Sequence, residues 1–121
     1  MGYFFDSYAI IEIIHQNESY KQFKQETIIT NVLNLAEVYY FLLKKYNEKT
    51  ANYWTIHFNF HLLEIAPDIA IKAAKFKHKY IKEGLSYADC IGYITALKNN
   101  IIFLTGDEKF KNKENVEFIK K

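Results

Sequence analysis

The stretch Ile101-Ile102-Phe103-Leu104-Thr105-Gly106-Asp107 decides the fold. A short, unbroken apolar run stopped by Thr-Gly-Asp reads as a strand buried on both faces, because a half-exposed strand would alternate polar and apolar residues. The amino-terminal stretch Tyr3-Phe4-Phe5-Asp6-Ser7 repeats the form, with an acid and a hydroxyl that both suit the N-cap of a following helix. That helix carries Ala9, Ile10, Ile13 and Ile14. Thr27-Ile28-Ile29-Thr30 is the next β-branched run, and from Asn31 the residues Leu35, Val38, Tyr39, Leu42 and Leu43 recur at helical spacing to about Tyr46. The aromatic segment from Thr50 to Phe60 is expected to be helical, and Leu62 to Ala66 to be a strand. Pro67 fits the first position of a helix whose face is Ile69, Ala73, Phe76 and Tyr80, and Gly84 fits its C′ position. Ser86-Tyr87-Ala88-Asp89 resembles a capping box, and the helix it opens, to about Lys98, has a smooth stripe of Ala88, Gly92 and Ala96. Val116 to Ile119 is a candidate edge strand. Strands apolar on both faces, alternating with helices, imply one α/β domain over residues 1–121, with helices covering a parallel sheet.

Composition agrees and excludes other classes. The chain has 121 residues, half of them hydrophobic and 17% aromatic, which suffices to bury a core without disulfides or a structural metal. The single Cys90 forms no internal disulfide, and no signal peptide is visible, so a cytoplasmic location is expected. The longest stretch without a formal charge, Thr50 to Leu63, contains Asn52, His57, Asn59 and His61 and is too short and polar to span a bilayer. All 16 cationic side chains are Lys, so the bidentate forks that Arg offers phosphates and guanines are missing. The runs Lys72, Lys75, Lys77, Lys79, Lys82 and Lys109, Lys111, Lys113, Lys120, Lys121 read first as a solvated helix face and a tail, with attraction of a phosphate backbone as the alternative.

The acids carry more information. Asp6 and Asp107 follow apolar strands at their carboxyl ends, the edge where ligands bind in open α/β sheets. Glu37 interrupts Leu35-Ala36 and Val38-Tyr39-Tyr40, and Asp89 lies in the first turn of a helix of small and apolar residues. Singly, Asp6 and Asp89 read equally well as helix caps, Asp107 as a turn residue and Glu37 as a solvated position. Together they fall where a parallel sheet presents its active edge. Carboxylates crowded there repel one another and resist ionisation unless a cation sits among them. Hard oxygen ligands suit Mg²⁺ or Mn²⁺, which acidify a bound water and neutralise a phosphodiester under attack.

The blocks Tyr3-Phe4-Phe5-Asp6-Ser7, Asn34-Leu35-Ala36-Glu37-Val38, Leu85-Ser86-Tyr87-Ala88-Asp89-Cys90 and Leu104-Thr105-Gly106-Asp107-Glu108-Lys109-Phe110 resemble, in order and spacing, the four acidic motifs of PIN-domain ribonucleases of the compact VapC toxin type. The resemblance covers essentially the whole chain. It implies a three-layer α/β/α domain around a parallel sheet of four to five strands. It also implies a Mg²⁺- or Mn²⁺-dependent endoribonuclease, usually a homodimer held inactive by a cognate antitoxin. By position, Asp6, Glu37, Asp89 and Asp107 would be the catalytic quartet and the metal ligands, with Glu37 alternatively positioning water. Ser7 and Thr105 match small hydroxyl positions that could hydrogen-bond a carboxylate or phosphate, or simply cap. The lack of Arg departs from many relatives and leaves any phosphate grip to Lys.

Other residues offer less. His57 and His61 are spaced to share a helix face, but no HExxH arrangement or Cys accompanies them, so packing or partner contact is expected. Cys90 reads as a buried packer. The aromatics Tyr39, Tyr40, Tyr46, Tyr53, Trp54, Phe58 and Phe60 exceed what a small interior absorbs, so part of this set is expected to face a partner. Two other functions compete: a housekeeping RNA-processing nuclease and a catalytically silent partner-binding module. An α/β phosphatase lacks its Asp-x-Asp pair here.

Overall fold

Phe4 and Phe5 are both buried yet belong to different cores, and that division organises the molecule. They sit in β1 (Tyr3–Phe5), where successive side chains point to opposite faces. The computed structural model describes residues 2–24 and 27–120; Lys121 of the basic tail lies outside the described residues. The other strands are β2 (Ile28–Thr30), β3 (Phe60–Leu62), β4 (Ile102–Thr105) and β5 (Val116–Phe118), and the five form one sheet in the order β3-β2-β1-β4-β5. Every pairing is parallel, with Phe4 opposite Ile29 on one side and Phe103 on the other.

The helices are α1 (Ser7–Ile14), α2 (Val32–Lys45), α3 (Glu48–His57), α4 (Pro67–Lys79) and α5 (Tyr87–Lys98). On one face Phe5, Ile28 and Leu104 pack with Ile10 and Ile13 of α1, Val38 and Leu42 of α2 and Ala51 of α3. On the other, Phe4 and Phe103 pack with Ala73 of α4, Cys90, Tyr93 and Ala96 of α5, and Phe110. Phe4 and Phe103 stack with ring centroids 5.8 Å apart, and Tyr93 sets its edge on Phe103 at 5.7 Å. Each large side chain removed from water in this way contributes about 1.5–3 kcal/mol. The result is the expected three-layer α/β/α arrangement, with five strands. Among the described residues no helix is long and apolar enough to cross a membrane.

Local signals set most boundaries. Asn31, Asn47 and Ser86 N-cap α2, α3 and α5, and both halves of the Ser86–Asp89 capping box are present. Pro67 opens α4, and Gly84, at φ +65°, closes a 3₁₀ turn (Ile81–Glu83) that follows the helix. Two expectations need correction. The third strand is Phe60–Leu62 rather than Leu62 to Ala66, because its partner β2 ends at Thr30. The Leu63 amide still donates to Thr30 O at 2.8 Å, but beyond it no strand remains to pair with. Accordingly α3 ends at His57, so His57 is helical while His61 stands in β3, and the two do not share a helix face. A 3₁₀ turn at Glu18–Phe23, which buries Tyr20 and Phe23, was not signalled by the periodicity.

Gly106 sits where the chain leaves β4, directly under Tyr8 of α1. A Cβ there would stand 2.2 Å from Tyr8 Cε1 and 2.8 Å from the Ile119 carbonyl oxygen. Backbone on one side leaves little room to yield, so Gly106→Ala is expected to destabilise the fold by about 1–3 kcal/mol in urea unfolding. A loss within experimental error would show that the ring moves aside at no cost.

Candidate active site

The sheet reverses its winding between β1 and β4, since β2 and β3 lie to one side and β5 to the other. At such a reversal the connections leave in opposite directions and open a crevice at the strands' carboxyl ends. Asp6 follows β1, and Thr105 closes β4, with Asp107 two residues on. The crevice therefore begins with an acid from each of its two central strands.

Asp6 is only 7% exposed. As the N-cap of α1 its Oδ1 accepts from the Ala9 amide at 2.8 Å, and its Oδ2 accepts a short hydrogen bond from Thr105 Oγ1. Thr105 Oγ1 in turn accepts from the Asp107 amide at 3.0 Å. One buried hydroxyl thus links the acids that end β1 and β4. Burial raises the Asp6 pKa to about 7 against the pull of these hydrogen bonds, and the charges of Asp89 and Asp107 push it the same way.

Glu37 is exposed on α2, and Ser7 Oγ donates to its Oε1 at 2.9 Å. Partial burial raises its pKa, the Ser7 hydrogen bond opposes this, and the charge of Asp89 adds to it. Asp89 occupies the third position of its capping box, with Oδ2 accepting from the Ser86 amide at 3.0 Å. Asp107 caps the short 3₁₀ turn Glu108–Phe110, with Oδ1 accepting from the Lys109 amide at 3.0 Å, and the turn is pinned by buried Phe110. Asp6 feels Asp89 and Asp107, and Glu37 feels Asp89, so the four acids share one electrostatic neighbourhood. Among the described residues, however, no group of three or more His, Cys, Asp or Glu side chains is gathered closely enough to hold a metal ion as it stands. Asp6, Asp89 and Asp107 each direct one oxygen to the amides of their own helical turn; the second oxygen of Asp6 takes the Thr105 hydroxyl.

Several lysines turn out to be structural. Lys109 Nζ lies 3.5 Å from Gly84 O, Lys113 Nζ pairs with Glu83 at 2.6 Å and sits over the Tyr80 ring, and Lys77 Nζ donates to Leu85 O. The Lys109 and Lys113 contacts stitch the segment after Asp107 to the loop before Asp89, and Lys77 ties that loop to α4, so part of each basic run is neither a plain solvated face nor a tail. Lys98 pairs with Asp68 on the surface, a contact worth little. Cys90 is buried, and burial pushes its thiol up to about 11, which leaves it inert as a nucleophile at neutral pH. His57 lies among the rings of Tyr53, Trp54 and Phe58, a packing role.

Sequence reasoning passed over two buried polar residues of the site, Asn31 and Asn34. Asn34 Oδ1 accepts the Ser7 amide at 3.0 Å, and Asn31 Oδ1 accepts both the amide and Nδ2 of Asn34 at 3.0 Å. The available signal was an Asn one helical turn before Glu37. Buried Glu12, which accepts from Asn17 Nδ2, was also not singled out.

The raised pKa of Asp6 has a sign. The folded protein holds a proton on Asp6 up to about pH 7, whereas the unfolded chain releases it near the ordinary 3.8. The associated stability is therefore complete below about pH 4 and is lost as pH rises through about 7. Asp6→Asn keeps an oxygen for the Ala9 amide and cannot ionise. Relative to wild type it is expected to gain about 1 kcal/mol per pH unit across that window. Urea unfolding at about pH 5 and about pH 8 measures this, and an unchanged difference between the two proteins would contradict it.

Comparison with known proteins identifies the fold family. The family model described as PIN domain matches residues 3–116. No curated protein sequence gives a significant match. Among solved structures, a toxin–antitoxin complex from Klebsiella pneumoniae is 20% identical with TM-score 0.75, covering 97% of this chain and 96% of that one. Mycobacterium tuberculosis VapC20, a Sarcin-Ricin loop cleaving toxin, is 14% identical with TM-score 0.79, covering 98% and 99%. VapBC2 from Rickettsia felis, bound to a DNA fragment from its promoter, is 18% identical with TM-score 0.75, covering 98% and 99%. At these identities the likeness establishes the fold, and the family match spans nearly the whole sequence: the chain belongs to the PIN domain family.

Proposed function

We propose that this protein is a divalent-metal-dependent endoribonuclease and the toxin member of a toxin–antitoxin pair. The observation that carries the reading is Asp6: a buried carboxyl, its pKa lifted to about 7 by burial and by Asp89 and Asp107, at the sheet's switch point. Two neighbours in fold are toxin–antitoxin assemblies and a third is by its description a Sarcin-Ricin loop cleaving toxin, which supports a toxin over a housekeeping nuclease.

Asp6, Asp89, Asp107 and Glu37 would hold Mg²⁺ or Mn²⁺, because the donor set is all carboxylate oxygen and a cation would offset the burial and, beside it, the repulsion that raise the Asp6 pKa. When bound, such an ion supplies Lewis acidity toward a phosphodiester and an acidified water. The chain's own residues do the rest. Thr105 fixes Asp6, and Ser7 fixes Glu37, which would ligate the ion or, alternatively, position the attacking water. With no Arg in the chain, any point charge for the substrate backbone comes from Lys.

The antitoxin would occupy the apolar side of α2. A groove of about 390 Å³ there is lined by Val32, Leu35, Ala36, Tyr39, Tyr40, Leu43 and Thr55, beside Glu37. Val32, Tyr40 and Leu43 of this lining are exposed together, the kind of contiguous apolar patch that a partner covers. A homodimer and a cytoplasmic location complete the reading. The satisfied caps of Asp89 and Asp107 favour one rival, a silent binding module, since they give those acids a purpose without catalysis.

Cleavage of a mixed structured RNA pool with Mg²⁺ or Mn²⁺, comparing partner-free wild type with Asp89→Asn, separates the two. Metal-dependent cleavage by wild type, reduced at least about 100-fold in the variant, is expected, consistent with the loss of an electrostatic group acting at the transition state. No cleavage and no Mn²⁺ binding by wild type would overturn the nuclease reading in favour of the module.

A further inference from the structure

Asp6 caps α1, Glu37 lies on α2 and Asp89 on α5, elements separated widely in sequence, and the buried side chain of Asn34 on α2 bonds the start of α1 and faces α5. Asn34 is 2% exposed. Its Oδ1 takes the Ser7 amide, the residue next to Asp6, at 3.0 Å. It stands one helical turn before Glu37, whose carboxylate Ser7 Oγ holds. Its Nδ2 lies 3.4 Å from where a Cβ of Gly92 would be, one turn after Asp89 on α5, which is the close approach that the smooth stripe on α5 permits.

Asn34 is itself held. Both its amide and its Nδ2 donate to Asn31 Oδ1, so the Asn31 side chain must present oxygen to it, and Asn31 Nδ2, buried, has no hydrogen-bond partner among the described residues. An unpaired buried amide is destabilising, a cost that a site needing only packing could avoid with an apolar residue. We infer that Asn34 is a positioning residue for the acidic site: it fixes the start of α1, and with it Asp6 and the Ser7 that steers Glu37, against the α5 turn that carries Asp89. This rests on the nuclease reading above. Asn34 itself would touch neither metal nor RNA.

The test uses the full-length chain. Asn34→Ala removes the amide, and Asn34→Leu removes it while keeping its volume. Leu42→Val trims the same helix further from the site and controls for loss of stability alone. Mn²⁺ affinity by calorimetry and kcat and KM for RNA cleavage are measured for each. The Asn34 variants are expected to lose at least about 10-fold in kcat and about 5-fold in Mn²⁺ affinity, with KM within about twofold of wild type, as displaced groups cost rate more than uniform binding. Leu42→Val is expected to keep all three values. Wild-type Mn²⁺ affinity and kcat in a folded Asn34 variant would overturn the inference while leaving the nuclease reading intact, as would equal losses in Leu42→Val. Failure of both Asn34 variants to fold would make its role structural and overturn it too. Wild type that neither binds Mn²⁺ nor cleaves RNA would remove the nuclease reading and this inference with it.

Discussion

The hydrogen bond from Thr105 Oγ1 to Asp6 Oδ2 joins the ends of the two central strands at the one place where the sheet changes direction. It forms because β1 and β4 are parallel neighbours in register, Phe5 opposite Leu104, so the residues that follow each strand emerge side by side. The same hydroxyl accepts from the Asp107 amide, which ties the third strand-end group to the first two. Everything else at this edge is placed by reference to that contact: α1 starts on Asp6, the α1 start holds Asn34 and Glu37 through Ser7, and the turn after Asp107 is pinned to the loop before Asp89 by lysines.

Asp6, Asp89 and Asp107 serve two physical roles with the same atoms. As caps they satisfy amides at the beginnings of helical turns, which stabilises the local structure. As a set they put negative charge into one crevice, and burial of Asp6 makes that costly above about pH 7. Helix starts at a parallel sheet's carboxyl edge resolve the two demands together, because the amides there partly offset the charge that the acids bring. A divalent cation would offset the remainder, drawing on the oxygens that the caps leave.

Much of the fold was legible because the decisive signals are local. Apolar runs such as Ile102-Phe103-Leu104, the caps Asp6, Asn31 and Ser86, and Pro67 all act within a turn or a strand. Boundaries failed where a long-range partner decides them: Phe60–Leu62 is a strand because β2 offers hydrogen bonds there and stops at Thr30. The acids of the site stood out because their company was apolar. The residues that hold the acids did not, since Asn34 reads as an ordinary helix position until α1 and α5 close around it, and Lys113 as a solvated charge until Glu83 and Tyr80 meet it.

The proposed function requires these carboxylates to gather around a divalent cation although they stand apart as caps. Anomalous scattering from crystals of the partner-free protein soaked in Mn²⁺ tests it most directly. A peak within about 2–2.5 Å of an Asp6 oxygen and of at least one oxygen of Asp89, Asp107 or Glu37 is predicted, the distance expected for hard cations on carboxylates. Full Mn²⁺ occupancy elsewhere on the molecule, or an empty crevice at saturating Mn²⁺, would contradict it.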